Sequence, residues 1–408
     1  MFNFISSGTV ISMVSGMFAT GSYVAYKDFT RYRRMMSTFA TGNILPPMAE
    51  NNFETVYFRR SGSLETLLQR TLSPTFANEY FLVNGDIGTG KTRMIVELIR
   101  EMIKNRGARR EGAPVYVLAN QGKCFPETLA AAVNFNFDEH VGFKFFLDFI
   151  MRINSFPHRD DDQRLVRVLD AIEKSSFGYM QRTGRPAVLV IDGINCLQRT
   201  MPGALERLQE KAKLWADSNT VKLILVNNDE ETEAALHKQS SCSSRLAPAI
   251  IVEDLPRDDA VDFLVAPAFM ENESLEREPM SAAEASRIVD LVGGRIHHLI
   301  RFKRDWTRGV PFELTADELK SRERDKFFRM LRSPSAWRVI TVLRDAPGHQ
   351  MALSELIDRT SMADIYALTK QNLIRYDGEP NGSVIVRFRS RIADKVVDEL
   401  DPRYEQSS

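Results

Sequence analysis

An α/β fold built on a parallel sheet is predicted by three features of the 408-residue sequence. The apolar run at 80–84 leads into a glycine-rich turn, Gly85-Asp86-Ile87-Gly88-Thr89-Gly90-Lys91-Thr92, and then into Met94, Ile95, Leu98, Ile99 and Met102 at helical spacing. A second apolar run, 187–191, ends in Asp192, and its unbroken hydrophobicity suits a strand covered on both faces. Further strand patterns at 115–118, 222–226 and 249–252 alternate with helical stretches at 126–133, 143–153, 163–180 and 204–216.

Taken from the amino end, residues 1–26 carry no charged side chain, and 4–26 is long enough to cross a bilayer as a helix. Lys27, Arg31, Arg33 and Arg34 follow, a positive flank that would keep the folded body on the cytosolic or matrix side. Residues 1–34 are therefore expected to form a membrane anchor with its basic flank. Pro46, Pro47, Asn51 and Asn52 mark 35–55 as a linker.

The turn at 85–92 reads GxxxxGKT between a strand and a helix, the arrangement of a phosphate-binding loop. Its glycines let successive N–H groups face phosphate, Lys91 reaches the terminal phosphates and the Thr92 hydroxyl ligates Mg²⁺. Gly85, Asp86, Ile87, Gly88, Thr89, Gly90 and Arg93 complete the expected binding set. Asp192 is the expected second metal ligand. Asn227, at the carboxyl end of the 222–226 strand, is placed to touch the terminal phosphate or its attacking water. No guanine-reading motif follows the core strands, so the expected ligands are ATP and Mg²⁺.

These residues resemble the AAA+-like STAND and archaeal-type P-loop ATPases from Phe53 to about Leu400. Residues 58–68 look like the family's box before the loop, 190–195 like its Walker B, 255–264 like the start of its helical lid, and Gly293-Gly294-Arg295 like its late glycine pair. The resemblance implies that Arg295 contacts phosphate from the lid and that Arg245 acts on a neighbouring subunit, which requires a homo-oligomer. Two departures stand out. Gly193 and Asn195 occupy positions where the family carries acids, with Glu230 and Glu231 as the substitutes at hand, so binding is better founded than hydrolysis. The proline of the family's GxP signature is absent after Gly294. In layout, the uncharged span and basic stretch look like the Bcs-type mitochondrial AAA proteins, implying the mitochondrial inner membrane, or otherwise a cytoplasmic location.

Ser281 with Glu284 forms a capping box opening one lid helix, and Thr315 with Glu318 would open another. Beyond Ser335 come three helical patterns, a strand at 373–376, a Pro380-Asn381-Gly382 turn, a strand at 384–388 and a last helix to Leu400, read as a winged helix. Its third helix, 364–372, offers Asp364 early and Lys370, Gln371 and Asn372 late, a poor base reader.

The whole is an α/β P-loop NTPase with a core at 56–253, a helical lid at 254–310 and a winged-helix domain at 311–408. With 43% hydrophobic and 26% charged residues, disorder is excluded for most of the chain. Fifty-four basic residues balance 54 acidic ones, so nucleic acid is not expected as a partner, any site for it would have to be a local patch, and a protein partner is favoured. Three widely spaced cysteines fit reduced thiols. The expected function is a membrane-tethered, slow ATPase switch or assembly factor. The alternatives are an origin-recognition-like DNA-binding ATPase and a hydrolysis-deficient scaffold.

Overall fold

Six strands form one sheet: β1 (Asn43–Ile44), β2 (Phe81–Asn84), β3 (Val115–Leu118), β4 (Ala187–Asp192), β5 (Val221–Val226) and β6 (Ile250–Ile251), in the order β1-β3-β4-β5-β2-β6. Every neighbouring pair is parallel. In register, both Val83 and Asp192 lie beside Val226, which aligns the carboxyl ends of β2, β4 and β5. One strand thus separates the strand entering the phosphate loop from the strand ending in Asp192. The chain order reverses around β2, and such switch points are where open α/β sheets bind ligands.

The computed structural model describes residues 22, 26–44, 58–60, 62–105, 112–119, 124–137, 160–238, 240–266, 280–330, 334–371, 373–378 and 383–399. The chain divides into two units. The first comprises Met1–Asn52, Gly62–Gly85 and Lys91–Val252; the second comprises Phe53–Ser61, Asp86–Gly90 and Glu253–Ser408.

In the first unit the sheet is flanked by helices α1 (26–41), α2 (Leu64–Leu72), α3 (Lys91–Asn105), α4 (Phe125–Ala132), α5 (Asp161–Thr183), α6 (Ile194–Thr200), α7 (Pro202–Ser218), α8 (Glu230–Lys238) and α9 (Ser240–Ser243). β4 and β5 are buried along their whole length, the outcome expected of apolar runs in a parallel sheet.

The amino-terminal region differs from expectation. Instead of a basic flank and a linker, residues 26–41 form α1, with Met35 and Phe39 fully enclosed in the core and Arg31 buried against Asp28 and the Phe135 ring. Met35 and Phe39 stand four positions apart on one helical face, and burying two such side chains is worth about 1.5–3 kcal/mol each. Gly42 ends the helix, and β1 then adds to the edge of β3. The turn-forming residues that suggested a linker, Pro46 to Asn52, lie outside the described residues, as do 1–21 and 23–25 of the expected anchor. Among the described residues, no helix is long and apolar enough to cross a membrane.

The second unit contains α10 (Arg257–Val265), α11 (Ala282–Val292), α12 (Ile296–Thr307), α13 (Phe312–Met330), α14 (Pro334–Asp345), β7 (Gln350–Ala352), α15 (Leu353–Arg359), α16 (Met362–Lys370), β8 (Ile374–Gly378), β9 (Val384–Phe388) and α17 (Arg391–Glu399). The capping box at Ser281 and Glu284 is present. The box expected at Thr315 is not: α13 starts three residues earlier, where Phe312 stacks on Phe302, and the Thr315 hydroxyl is taken up by Asp305 at 3.2 Å. Strands β7, β9 and β8 form an antiparallel sheet, and β7 is a strand the sequence did not announce. Residues Pro380–Gly382 of the expected hairpin turn lie outside the described residues.

Candidate functional site: the phosphate loop and its partners

In the first unit, Lys91 and Thr92 of the loop motif meet Asp192 and Tyr116 at the carboxyl ends of the strands. Lys91 opens α3 and donates from Nζ to the carbonyl of Gly85 at 2.6 Å. Thr92 donates from Oγ1 to Asp192 Oδ2 at 2.6 Å, across 100 positions of sequence. Tyr116 of β3 donates to the same carboxylate oxygen at 2.7 Å. Its reach follows from register: Leu118 pairs with Asp192, and Tyr116, two residues earlier, shares its face of the sheet.

Burial pushes the Asp192 carboxyl above its ordinary range, against the pull of the Thr92 and Tyr116 hydroxyls, the Lys91 charge and the Gly193 N–H. Burial likewise pushes the Tyr116 phenol well up, with the neighbouring carboxylate adding to it, so Tyr116 stays a donor. A hydroxyl and a carboxylate side by side are hard oxygen donors of the kind Mg²⁺ takes, and Lys91 supplies the charge a triphosphate needs. The residues present therefore fit Mg²⁺ and a nucleoside triphosphate.

A second group lies beside it in the same unit. Asn227 Nδ2 donates to Asn84 Oδ1 at 3.3 Å, and its own Oδ1 accepts from the Asp229 N–H at 3.2 Å. Asn84, the last residue before Gly85, donates in turn to the Glu233 carboxylate. Burial raises the pKa of Glu233, with His237 opposing.

In the second unit, the loop residues Asp86–Gly90 have partners of their own. Arg295, the residue before α12, donates to Asp86 Oδ2 at 2.8 Å, to Asp254 at 3.0 and 3.2 Å, to the Ile87 carbonyl at 3.3 Å and to the Arg389 carbonyl at 2.9 Å. Arg389, just after β9, donates from Nε to Asp86 Oδ1 at 2.9 Å, and Arg375 of β8 donates to Asp86 Oδ2 at 3.0 Å. Asp86 and Arg389 are 8% and 7% exposed and Arg295 6%, so the cluster is largely out of water. Burial alone would raise the Asp86 carboxyl; the charges of Arg389, Arg295 and Arg375 outweigh it and hold the carboxyl below its ordinary value.

The rest of this loop segment is pinned by backbone. His297 N donates to the Gly88 carbonyl at 3.1 Å, Thr89 Oγ1 donates to the Asp86 carbonyl at 2.9 Å, and Arg60 donates to the Thr89 carbonyl. Gly294 packs so closely on Leu255 that a Cβ there would stand 1.8 Å from the Leu255 carbonyl oxygen.

No protein-family model and no curated protein sequence matches the chain. Among solved structures it is similar to a Walker-type ATPase of Pyrococcus abyssi, at 16% identity over 84% of this chain and 96% of that one, with a TM-score of 0.50. It is also similar to the ORC2 protein of Aeropyrum pernix, solved as ADPNP-ADP complexes, at 12% identity, 89% and 98% coverage and a TM-score of 0.48. The ORC1 protein of the same organism, solved with DNA, gives 17% identity, 88% and 97% coverage and a TM-score of 0.45. The likeness to the Pyrococcus abyssi protein is one of fold, a parallel-sheet α/β core.

Of the residues expected from sequence, Gly85, Lys91, Thr92 and Asp192 come together in the first unit, with Asn227 one hydrogen bond from Asn84. Asp86, Ile87, Gly88, Thr89 and Gly90 sit among the arginine cluster's partners in the second. Arg295, expected at phosphate, is bonded to carboxylates and carbonyls. Two residues are elsewhere. Arg93 lies along α3 with Glu97 at 3.2 Å. Arg245 lies beside Tyr80, at the opposite end of β2 from Gly85, in a surface pair with Asp217 at 2.6 Å, so it does not join the Lys91 group of its own chain. Sequence reasoning missed Tyr116 and Glu233 as site residues, and it took Arg375 and Arg389, with Arg387 and Arg391, for hairpin arginines able to bind nucleic-acid phosphate and not for partners of Asp86. Only the arginines left a signal, as a run of alternating basic positions in the hairpin.

Proposed function

We propose that the protein is an ATP-binding P-loop ATPase whose nucleotide state governs its carboxyl-terminal module, which we read as a winged helix from its α14–α16 helices and β7-β9-β8 sheet. The observation that carries the proposal is the Thr92–Asp192 contact beside Lys91, because these groups are what a magnesium triphosphate requires. When bound, Mg²⁺ would neutralise phosphate charge, held by Thr92 and Asp192. Lys91 would exchange its Gly85 carbonyl for phosphate oxygen. Tyr116 keeps the Asp192 carboxylate oriented and ionised.

For hydrolysis the chain needs a group to take a proton from water, and Gly193 has no side chain to offer. Asn195 does not substitute, because a side-chain amide is not basic enough to take that proton. We assign the role to Glu233: it is half-buried, bonded to the residue before the loop, and its raised proton affinity suits a general base. Asn227 positions it through Asn84.

Titration calorimetry with Mg-ATP tests the reading. Wild type binds, and Lys91→Ala lowers affinity roughly a hundredfold or more, as expected for loss of a charge-assisted phosphate contact. No binding by wild type would end the proposal. The membrane tether is not part of it.

A second reading, duplex DNA as the module's ligand, is favoured by the helix–helix–hairpin order and by the half-exposed Arg387 on β9. Neutral net charge does not oppose it, since backbone contact needs only a local basic hairpin. Unchanged duplex mobility at low salt discards it.

A further inference from the structure

A carboxylate in a phosphate-binding loop is an electrostatic liability, because it stands among backbone N–H groups whose ligand carries several negative charges. Asp86 meets this problem by turning to three arginines that come from separate parts of the second unit: Arg295 before α12, Arg375 in β8 and Arg389 after β9. The arrangement has the make-up of a phosphate site, with two buried guanidinium groups and a partly exposed third around one anion, except that the anion belongs to the chain.

The arginines have little to spare. Arg295 donates to five acceptors, and three of them, on Asp86, Asp254 and Arg389, share the two N–H groups of Nη2. Arg389 spends Nε and Nη2 on one Asp86 oxygen, and Arg375 divides between Asp86 and Asp377. Around the cluster three arginines face Asp86 and Asp254, a surplus of one positive charge before Asp377 is counted. A triphosphate brings several negative charges, and a phosphate offers a guanidinium more acceptor oxygens than a carboxylate does. For Arg295 to turn Nη2 to phosphate, it must release Asp86. The two hairpin arginines then hold the loop carboxylate without Arg295, while the Arg295–Arg389 main-chain bond is lost.

We propose that Asp86 is the resident anion of this three-arginine site, that nucleotide phosphate displaces it from Arg295, and that filling the loop thereby loosens the β8–β9 hairpin. This rests on the nucleotide-binding reading above and adds its regulation: the loop reports its occupancy to the carboxyl-terminal module through one carboxylate. A purely structural pin predicts a hairpin indifferent to nucleotide.

The test is hydrogen exchange by mass spectrometry on the full chain, alone and with Mg-ADP or Mg-ATP, read in peptides covering 374–378 and 384–389. In wild type, Mg-ATP raises exchange there. In Asp86→Ala the hairpin exchanges at the raised rate without nucleotide, Mg-ATP adds nothing, and the dissociation constant for Mg-ATP falls by about tenfold, since no internal anion has to be displaced. Arg389→Gln changes the hairpin in the same direction and decides the matter if the Asp86 variant does not fold. Bound nucleotide with an unchanged wild-type hairpin overturns the coupling and leaves the nucleotide reading standing. Failure of wild type to bind removes that reading and this proposal together.

Discussion

His298 gives the structure a calculable weakness to acid. It lies on α12, three residues after Arg295, is 9% exposed, and its Nδ1 is buried without a hydrogen-bond partner. Burial, with Arg295, His297, Lys326 and Arg301 around it, lowers its pKa from 6.5 to about 3. The folded state therefore keeps the imidazole neutral while the unfolded chain takes up a proton below pH 6.5, so stability falls as the medium is acidified. Above pH 6.5 neither state is protonated and the residue contributes nothing. Between 6.5 and about 3 the loss accumulates at about 1.4 kcal/mol per pH unit, or about 2.7 kcal/mol by pH 4.5. His298→Gln removes the titration. Urea unfolding of the second unit, followed by Trp306 and Trp337 in a Trp215→Phe background, measures it. Relative to its parent, the variant should gain about 2–3 kcal/mol on going from pH 6.5 to 4.5. Parallel curves would show that the imidazole takes up its proton in the folded state, and the account of its surroundings would be wrong.

Two further outcomes follow from close contacts. Gly294→Ala places a methyl 1.8 Å from the Leu255 oxygen, an obstruction that backbone cannot yield to cheaply, and calls for destabilisation of at least about 3 kcal/mol in the same unfolding transition. Glu233→Gln should leave Mg-ATP affinity within about twofold while phosphate release falls by about a hundredfold or more; equal release rates in variant and wild type would show that Glu233 is not the base, and no release by wild type would return the chain to the hydrolysis-deficient class.

What could be read from sequence was whatever is local. The phosphate loop is eight consecutive residues, and the Asp192 strand announces itself by five consecutive apolar side chains before an acid. The strand at 115–118 has the expected bounds. What could not be read depends on how distant segments meet. Tyr116 looks like an ordinary strand aromatic until the β3–β4 register brings it to Asp192. Glu230 and Glu231 drew attention by proximity to Asn227, yet Glu233 is the member of that helix that reaches Asn84. Asp86 finds partners 209, 289 and 303 positions away, a separation no local pattern encodes. The amino-terminal misreading has the opposite origin. Strong turn formers at 46–52 outweighed the modest face made by Met35 and Phe39, and tertiary burial, not local propensity, decides such a helix.

The cations meant for phosphate share one property within their respective units: each is already bonded to oxygen. Lys91 holds the Gly85 carbonyl, and Arg295 holds two carboxylates and two carbonyls. Nucleotide binding is then an exchange of partners, and only the difference between the old contact and the new one appears as affinity. For Lys91 the exchange favours phosphate, because a charged oxygen replaces a neutral one. For Arg295 it sets one anion against another, so its net gain is small and depends on how firmly Arg375 and Arg389 retain Asp86 in its absence. The two exchanges divide the labour. Lys91 supplies grip that is insensitive to the rest of the chain, whereas the Arg295 exchange contributes little affinity of its own and makes occupancy sensitive to the hairpin. A loop residue other than Asp86, with no charge to surrender, would leave the grip and abolish the sensitivity.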